Sequence, residues 1–249
     1  MSFWPRPPRT IRTRRLATTP PTPLTARARR TVSPMPRDAA SAAQSTELRD
    51  RNGLTEAEFL ASYTPKKYPQ PSLTADICVF RRHDGGLQLL LVQRGGHPYL
   101  GRWATPGGFC NPDETADACA ARELEEETCV SGLKLEPIGL YSTPGRDPRG
   151  WTISYAFVAL DDAGSIPVAA DDAARAAWFD VAATLVGPVS DGDSVTLALA
   201  HEGTTLTSEF TAREQPITHR LRAQDVKGDG LAFDHAQIVA DAWLALQGL

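Results

Sequence analysis

The sequence lacks a long apolar run and contains few cysteines. No stretch of the 249 residues approaches the roughly 20 apolar residues that are needed to cross a bilayer, so we expect no membrane association. The four cysteines, at positions 78, 110, 119 and 129, form neither a Cys-x-x-Cys pair nor a zinc-ligand spacing. We therefore expect reduced thiols and a cytoplasmic protein.

Acidic residues are absent from Met1 to Arg37, a stretch with nine arginines and many Pro, Thr and Ser residues. This composition has no apolar periodicity to drive folding, so we predict a disordered extension over residues 1–45 and a folded domain over 46–249. An organelle transit peptide, a basic arm for nucleic acid and a segment without function all stay open for the extension. The whole chain carries a net charge of −4, which argues against general nucleic-acid binding.

Proline and glycine are absent between Thr115 and Gly132. This segment is rich in Ala, Leu and Glu, which predicts a helix. Glu123, Glu126 and Glu127 stand at i, i+3 and i+4, so the three carboxylates share one helix face. Such crowding of like charge is unfavourable without a cation. A hard divalent cation such as Mg²⁺ fits, because it takes oxygen ligands together with substrate phosphates.

The residues around this helix extend the predicted site. Arg122 lies four residues before Glu126 and can hold that carboxylate in place. Upstream, the run Pro106-Gly107-Gly108 predicts a tight turn whose backbone can approach a metal or a phosphate closely. A run of Glu residues by itself is more often a helix face exposed to solvent. Here the run lies close in sequence to Arg122 and to the Gly-rich turn, which favours a functional site. The residues that we expect to face the core are Ala118, Ala121, Leu124 and Cys129.

Positions 101–130, GRWATPGGFCNPDETADACAARELEEETCV, resemble the Nudix box, G-x5-E-x7-R-E-U-x-E-E-x-G-U with U a bulky aliphatic residue. One position departs from the pattern, because Cys129 stands where the box has Gly. That Gly lies at the helix C-terminus, where a left-handed residue is often needed, so we expect the helix end to shift toward Gly132. The matching positions are Gly108, Glu114, Arg122, Glu123, Leu124, Glu126, Glu127 and Val130.

The resemblance implies a hydrolase of nucleoside diphosphates linked to another group. Its implied metal is Mg²⁺, with Mn²⁺ as an alternative. Glu123 and Glu127 would be direct ligands, Glu126 would join through metal or water, and the Gly107 carbonyl would add an oxygen. The general base varies in this family, so Glu126, Glu127 and His235 are candidates, and a structural role for His235 stays open. The implied catalytic residues are Glu114, Arg122, Glu126 and Glu127.

The rest of the chain predicts an α+β fold with a mixed sheet. Alternating apolar segments predict strands at 74–80, 87–93, 134–141, 152–160 and 173–181. An insertion over 184–229 is predicted to add a β-hairpin, and a helix over 236–246 closes the domain. A sheet between a catalytic helix and a closing helix is also the Nudix-type α/β/α sandwich that the resemblance implies.

Two segments are predicted to bind substrate. Arg94 precedes the Gly-rich turn, where an Arg that grips phosphate bidentately would be useful. The loop STPGRDPRG, residues 142–150, presents Arg146, Asp147 and Arg149 between prolines and glycines, which limit its conformations.

Both segments resemble the Nudix branch that hydrolyses ADP-ribose. In that branch such a loop lies beside the substrate, so Arg146 would bind phosphate and Asp147 would accept hydrogen bonds from ribose hydroxyls. Trp103 or Tyr99 would stack on adenine.

The leading hypothesis is hydrolysis of ADP-ribose to AMP and ribose 5-phosphate. One alternative is a transcriptional regulator that senses ADP-ribose through a Nudix-related domain, and another is a hydrolase of oxidised nucleotide triphosphates. We expect a nucleotide-type small-molecule partner and no nucleic acid or membrane partner. Monomer and homodimer stay open.

Overall fold

The computed structural model describes residues 48–64, 68–169, 173–185 and 187–247. The predicted disorder of residues 1–45 lies outside these ranges. Within these ranges the chain divides into two units, of which the first ends at Tyr63 and the second begins at Thr64. In the first unit, α1 spans Glu56–Ser62 and begins with a capping box, in which the Thr55 side chain accepts the Glu58 amide and the Glu58 side chain accepts the Thr55 amide.

The second unit is built on one mixed sheet of ten strands. Its order is β10-β9-β8-β7-β2-β1-β6-β5, with β3 paired to β2 and β4 paired to β1. Among the named strands of the described ranges, β1 and β6 pair in parallel and the other pairs are antiparallel. The strands are β1 Ser72–His83, β2 Gly86–Arg94, β3 Trp103–Ala104, β4 Gly107–Phe109, β5 Glu136–Tyr141, β6 Thr152–Leu160, β7 Ala173–Ala183, β8 Ser194–His201, β9 Thr204–Glu214 and β10 Leu221–Asp229.

The helix α2, Ala116–Thr128, packs on one face of this sheet. Its Leu124 joins a core with Ile77, Val79 and Phe157. The predicted core face was otherwise wrong, because Ala118, Ala121 and Cys129 are exposed. The face is rotated, since Glu123 and Glu127 turn toward a cleft beside the sheet. The buried residues of α2 are Cys119, Ala120, Leu124 and Thr128.

The end of α2 also differs from the expectation. The helix does not extend toward Gly132, because Cys129 itself adopts the left-handed conformation with φ 57°. Its backbone N–H donates to the Glu125 carbonyl at 2.8 Å, which ends the helix where a Gly would normally do so. The Cys129 side chain is exposed, so its Cβ can be accommodated without displacing core atoms.

The helix α3, His235–Leu246, packs on the other side of the sheet and is buried over most of its length. The predicted sandwich with a mixed sheet between helices is therefore confirmed. A helix that is apolar on all its faces must be buried against several neighbouring elements, and α3 packs against β9 and β10 among others. Despite this apolarity, neither α3 nor any other helix in the described ranges has both the length and the apolar character that a membrane crossing requires.

The inserted segment contains the predicted hairpin, formed by β8 and β9, and a third strand, β10. The sequence analysis missed β10 because its alternation is broken by a bulge between Gln224 and Lys227, where Asp225 has φ 55°. The segment also contributes to the main core. Its buried apolar residues are Val195, Leu197, Leu199, Leu206, Phe210, Ala212 and Ala223.

The two terminal strands of the sheet, β5 and β10, approach each other at Arg222. Its Nη1 donates to the Ile138 carbonyl on β5 at 2.8 Å, while its Nη2 lies 3.0 Å from Asp241 Oδ2 on α3. Tyr141 on β5 donates to the same carboxylate at 2.8 Å, and the Ala223 amide on β10 donates to its other oxygen. One buried acid on α3 therefore joins both ends of the sheet.

Candidate active site

A cleft of about 760 Å³ opens beside the charged face of α2. Its walls come from β1, the connector after β2, β4, the loop 142–150 and the segment before α3. The charged residues that line it are Asp76, Arg94, Arg122, Glu123, Glu127, Arg146, Asp147 and Arg149. The cleft therefore joins both predicted substrate loops to two of the three predicted metal-binding carboxylates.

Glu127 is held against the Gly-rich turn in the predicted metal site. Its Oε2 accepts the Gly107 amide at 2.9 Å. Burial raises the pKa of Glu127 to about 7, and the nearby carboxylates of Glu123 and Asp76 contribute to this rise. Burial also raises the pKa of Glu123. A cation would relieve this concentration of buried negative charge.

The position of the Glu123 carboxylate favours glycine at position 108. A Cβ added to Gly108 would overlap the Glu123 carboxylate. At Gly107, with φ 152°, a Cβ would overlap the Ala75 carbonyl oxygen and lie 2.9 Å from Asp76 Oδ1. The Gly-rich turn therefore lies against these carboxylates, and its predicted close approach to a metal or a phosphate stays a prediction.

Arg122 connects the remaining carboxylates of the box. Its Nε and Nη2 donate to Glu114 at 3.1 and 2.5 Å, and its Nη1 donates to Glu123 and Glu126 at 2.8 Å each. The hydrogen bonds from Arg122 lower the pKa of Glu114 to about 2. Arg122 also donates to the Phe109 carbonyl at 3.1 Å, which ties α2 to the Gly-rich turn. In this arrangement Glu114 and Arg122 hold the turn and the carboxylates in position.

Glu126 stands apart from the other two helix carboxylates. Its side chain is 45% exposed and contacts Arg122, and it does not belong to the described residues that line the cleft. The predictions that Glu126 binds metal or acts as the general base stay predictions.

The donor set fits a hard divalent cation. Glu123 and Glu127 present carboxylate oxygens to the cleft, and the site holds raised carboxylate pKa values that a cation would lower. Oxygen ligands of this kind suit Mg²⁺ or Mn²⁺. Glu123 and Glu127 are the side chains that would hold the ion. The role of the Gly107 carbonyl as a further ligand stays a prediction.

A second cluster of charges, largely buried, borders the cleft, and the sequence analysis did not predict its pairings. Arg146 donates from Nε and Nη2 to the two carboxylate oxygens of Asp234 at 2.8 and 2.6 Å, and its Nη2 lies 3.7 Å from Asp76. Ser154 donates to the same carboxylate of Asp76. The Arg146 side chain is only 4% exposed. Its guanidinium is thus engaged by protein carboxylates, although it borders the cleft.

His235 belongs to the same cluster. Its Nδ1 accepts the Thr105 amide at 3.0 Å, so the neutral ring carries its proton on Nε2, which faces Asp76 Oδ1 at 3.6 Å. Burial lowers the pKa of His235, which favours this neutral form. These contacts favour the structural role for His235 over the role of general base.

The other predicted substrate residues differ in their exposure. Asp147 is buried and accepts two hydrogen bonds from the Arg149 side chain to Oδ1 and Oδ2, at 3.0 and 2.7 Å. Arg94 donates to the Pro98 carbonyl at 2.7 Å and lines the cleft. Trp103 is only 5% exposed and packs edge-on against Phe179, 4.7 Å between centroids. The core position of Trp103 rules out its predicted stacking on adenine, and stacking by Tyr99 stays a prediction.

Some signals for the missed residues were present in the sequence. Asp76 interrupts the mostly apolar part of β1, residues 73–80, and a buried acid in a strand needs a partner. Phe233 and Asp234 lie in the segment LAFDH, next to the His that the sequence analysis did consider. Their partners are distant in the sequence, so the pairing itself could not be derived.

Arg146→Ala is expected to lower the free energy of unfolding by about 3 kcal/mol, because it leaves the carboxylates of Asp76 and Asp234 without their buried partner. Urea denaturation measures the change. Arg175→Ala is the matched control, since Arg175 pairs with Glu202 at an exposed position and should cost less than about 1 kcal/mol. Unchanged stability together with a lower kcat/KM would instead favour direct phosphate binding by Arg146.

Comparisons with known proteins agree with this arrangement. The NUDIX domain family model matches residues 71–199. The chain is 40% identical over 111 residues to the ADPR responsive transcriptional repressor NtrR of Acinetobacter baylyi, covering 44% of each chain. It is 42% identical over 94 residues to the ADP-ribose pyrophosphatase of Methanocaldococcus jannaschii, covering 38% of this chain and 55% of that protein. The matches thus span about half the length of these relatives.

A solved structure shows a similar fold. The NUDIX domain of Shewanella oneidensis NrtR, crystallised with ADP ribose, is 28% identical with a TM-score of 0.54, and the match covers 78% of this chain and 99% of that one. The family model covers more than half of the present chain, and four of the box residues it contains, Gly108, Arg122, Glu123 and Glu127, line the cleft. The chain therefore belongs to the Nudix family.

Proposed function

We propose that the protein hydrolyses ADP-ribose to AMP and ribose 5-phosphate with Mg²⁺ in the cytoplasm. The observation that carries this proposal is the meeting of Glu123 and Glu127 with the arginines of two substrate loops in one cleft. The similarity to an ADP-ribose pyrophosphatase and to a domain crystallised with ADP ribose supports the choice of substrate. The four free thiols support the cytoplasmic location.

In the proposed reaction, the oxygen of a water molecule forms a bond to one phosphorus of the diphosphate. The bond from that phosphorus to the bridging oxygen breaks, and the bridging oxygen leaves with the other phosphate. The protons of the water pass to the solvent or to the two phosphate monoesters that form. A bound Mg²⁺ would supply positive charge that neutralises the diphosphate and polarises the attacking water.

The side chains of the site prepare this reaction. Glu123 and Glu127 would hold the ion, and Arg122 keeps Glu123 in position through its hydrogen bond. Arg94 and Arg149 add positive charge to the wall of the cleft, where they can attract a diphosphate. Glu127 also fixes the Gly-rich turn by accepting the Gly107 amide, so the metal site and the turn keep a common geometry.

A regulator that senses ADP-ribose is the second candidate, because one similar protein is an ADPR responsive transcriptional repressor. The site favours hydrolysis over sensing alone. A sensor needs to bind the diphosphate but does not need a concentrated set of carboxylates. Here Glu123 and Glu127 both face the cleft, and burial raises the pKa of each.

The test is a substrate panel of ADP-ribose, dinucleotides and nucleotide triphosphates assayed with Mg²⁺ and with EDTA. We expect a kcat/KM for ADP-ribose at least about tenfold above that for triphosphates, and no turnover in EDTA, because the buried carboxylates would repel the diphosphate without a cation. A preferred triphosphate would contradict the proposed substrate. Binding of ADP-ribose without turnover would favour the sensor.

A further inference from the structure

Two of the four cysteines meet at the start of α2. Cys110 comes directly after β4, and Cys119 lies on the first turn of the helix. Their positions in the sequence have no zinc-ligand spacing, but the loop between them turns back on itself. The two sulfur atoms and a carboxylate oxygen of Glu114 all lie within 4.8 Å of one another. The fold therefore brings together three metal-ligating side chains that the sequence does not show as a motif.

The arrangement of these three atoms suits a divalent cation that binds sulfur. In a tetrahedral zinc site, with bonds of about 2.3 Å to sulfur and about 2.0 Å to oxygen, neighbouring ligand atoms lie roughly 3.5–3.8 Å apart. Ligand atoms that are already within 4.8 Å of one another need only small side-chain rotations to reach these separations. A fourth position is available to water, as in zinc sites with three protein ligands.

Arg122 balances the charge of such a site. Two thiolates and one carboxylate carry three negative charges, of which a divalent cation neutralises two. The Arg122 Nη2 atom lies 3.8 Å from Cys119 Sγ and donates to Glu114 at 2.5 Å, so the guanidinium lies beside the remaining charge. A carboxylate can accept about four hydrogen bonds, so Glu114 has the capacity to contact both Arg122 and a metal ion.

The surroundings of the two thiols favour a metal ion over a disulfide. Burial raises the pKa of Cys110 and of Cys119, so few thiolates are present to react with an oxidant. A metal ion, by contrast, deprotonates the thiol that it binds. Cys110 is only partly buried, which gives an ion access to the pair.

We propose that Cys110, Glu114 and Cys119 bind a thiophilic divalent cation such as Zn²⁺. The site discriminates against Mg²⁺, because Mg²⁺ prefers ligand sets made of oxygen atoms. It is separate from the carboxylates of Glu123 and Glu127 that face the cleft. A bound ion would tie the segment after β4 to α2. This binding is independent of the proposed hydrolysis, since none of its steps involves a nucleotide.

A titration of the full chain with Cd²⁺ tests the site. Cd²⁺ is the probe because its bonds to thiolates absorb ultraviolet light and its bonds to carboxylates do not, and excess Mg²⁺ is present throughout. We expect a single Cd²⁺ ion to produce this absorption in the wild type. Cys110→Ser, Cys119→Ser and Glu114→Gln should each weaken the binding at least about tenfold, because even a side chain that only orients a metal ligand contributes about 10–100-fold in affinity.

Cys129→Ser is the matched control, since it removes an exposed thiol at the opposite end of the same helix. Its affinity for Cd²⁺ should stay within about twofold of the wild type, because distant sites act independently. Thermal unfolding in EDTA checks that each variant is folded. Cys119 is fully buried, so Cys110→Ser, at a partly buried position, decides the outcome if Cys119→Ser does not fold.

Three results would overturn the proposed site. They are a wild type without thiolate absorption, an unchanged affinity in any folded variant of the three ligands, and a loss in Cys129→Ser as large as in Cys110→Ser. The titration contains no substrate. A wild type that binds Cd²⁺ as expected but fails to hydrolyse ADP-ribose would therefore refute the proposed reaction alone.

Discussion

Glu127→Gln and Glu123→Gln are each expected to lower kcat/KM for ADP-ribose with Mg²⁺ at least about 100-fold. Both substitutions keep the size of the side chain but remove a negatively charged carboxylate from the wall of the cleft. A metal ion contributes several kcal/mol of charge stabilisation in the transition state, and each ~1.36 kcal/mol corresponds to a factor of ten in rate. Steady-state kinetics across a range of Mg²⁺ concentrations measures the loss.

Glu125→Gln is the matched control for these variants. It makes the same chemical change on the same helix, but Glu125 is exposed and lies on another side of α2. Its kcat/KM should stay within about twofold of the wild type, because the charge is far from the bound diphosphate and is screened by salt. Turnover at the wild-type rate in either Glu123→Gln or Glu127→Gln would remove that residue from the metal site.

Without metal, the same Glu127→Gln variant is expected to be more stable than the wild type at about pH 8. The pKa of Glu127 in the folded protein is about 7, against 4.5 for an ordinary glutamate. Because the folded pKa is raised, the contribution of protonated Glu127 is fully present below pH 4.5 and is lost as pH rises through 7. The lost contribution is on the order of 3 kcal/mol.

Thermal unfolding in EDTA from about pH 5 to about pH 8 measures this effect. A change of this size corresponds to a Tm difference of about 6–12 °C in a domain of roughly 150–250 residues. The relevant quantity is the difference in Tm between wild type and Glu127→Gln. His235 is present in both proteins, and its lowered pKa changes stability with pH in the opposite direction. Glu125→Gln should follow the wild type. If the difference between wild type and Glu127→Gln stays constant with pH, the raised pKa of Glu127 is wrong.

Mg²⁺ gives an independent check of the same assignment. Added at about pH 8, it should raise the Tm of the wild type more than that of Glu127→Gln, because a ligand that binds the folded state more tightly stabilises it more. The variant would then have a higher Tm than the wild type in EDTA, and Mg²⁺ would raise its Tm less. A purely structural carboxylate would not show both changes.

Features coded by neighbouring residues could be predicted from the sequence. The helix α2 and the common face of Glu123 and Glu127 both follow from composition and spacing within one segment. The hairpin β1–β2 follows from alternation around a Gly-containing turn. In these cases the local pattern and the final structure agree, so no long-range information is needed.

Features that depend on distant partners could not be predicted. Trp103 has the exposed-loop context of a ligand-binding aromatic, yet its ring packs against Phe179 of β7. Arg146 has the context of a phosphate-binding loop, yet Asp234 lies 88 positions away and engages the guanidinium. In both cases the local sequence suggested contact with substrate, whereas the tertiary contact places the side chain against other groups of the protein.

The junction at Arg222 has a consequence for how this unit folds. The hydrogen bond from Arg222 to Ile138 joins residues 84 positions apart, and Asp241 of α3 ties both ends of the sheet together. Contacts of such long sequence separation form late and slow the search for the native state. The unit should therefore unfold in one all-or-none transition. A chain cut at residue 199, where the family model ends, would lose α3 and expose apolar side chains of the core that it shares with β1, β7 and β8, so it should aggregate rather than fold.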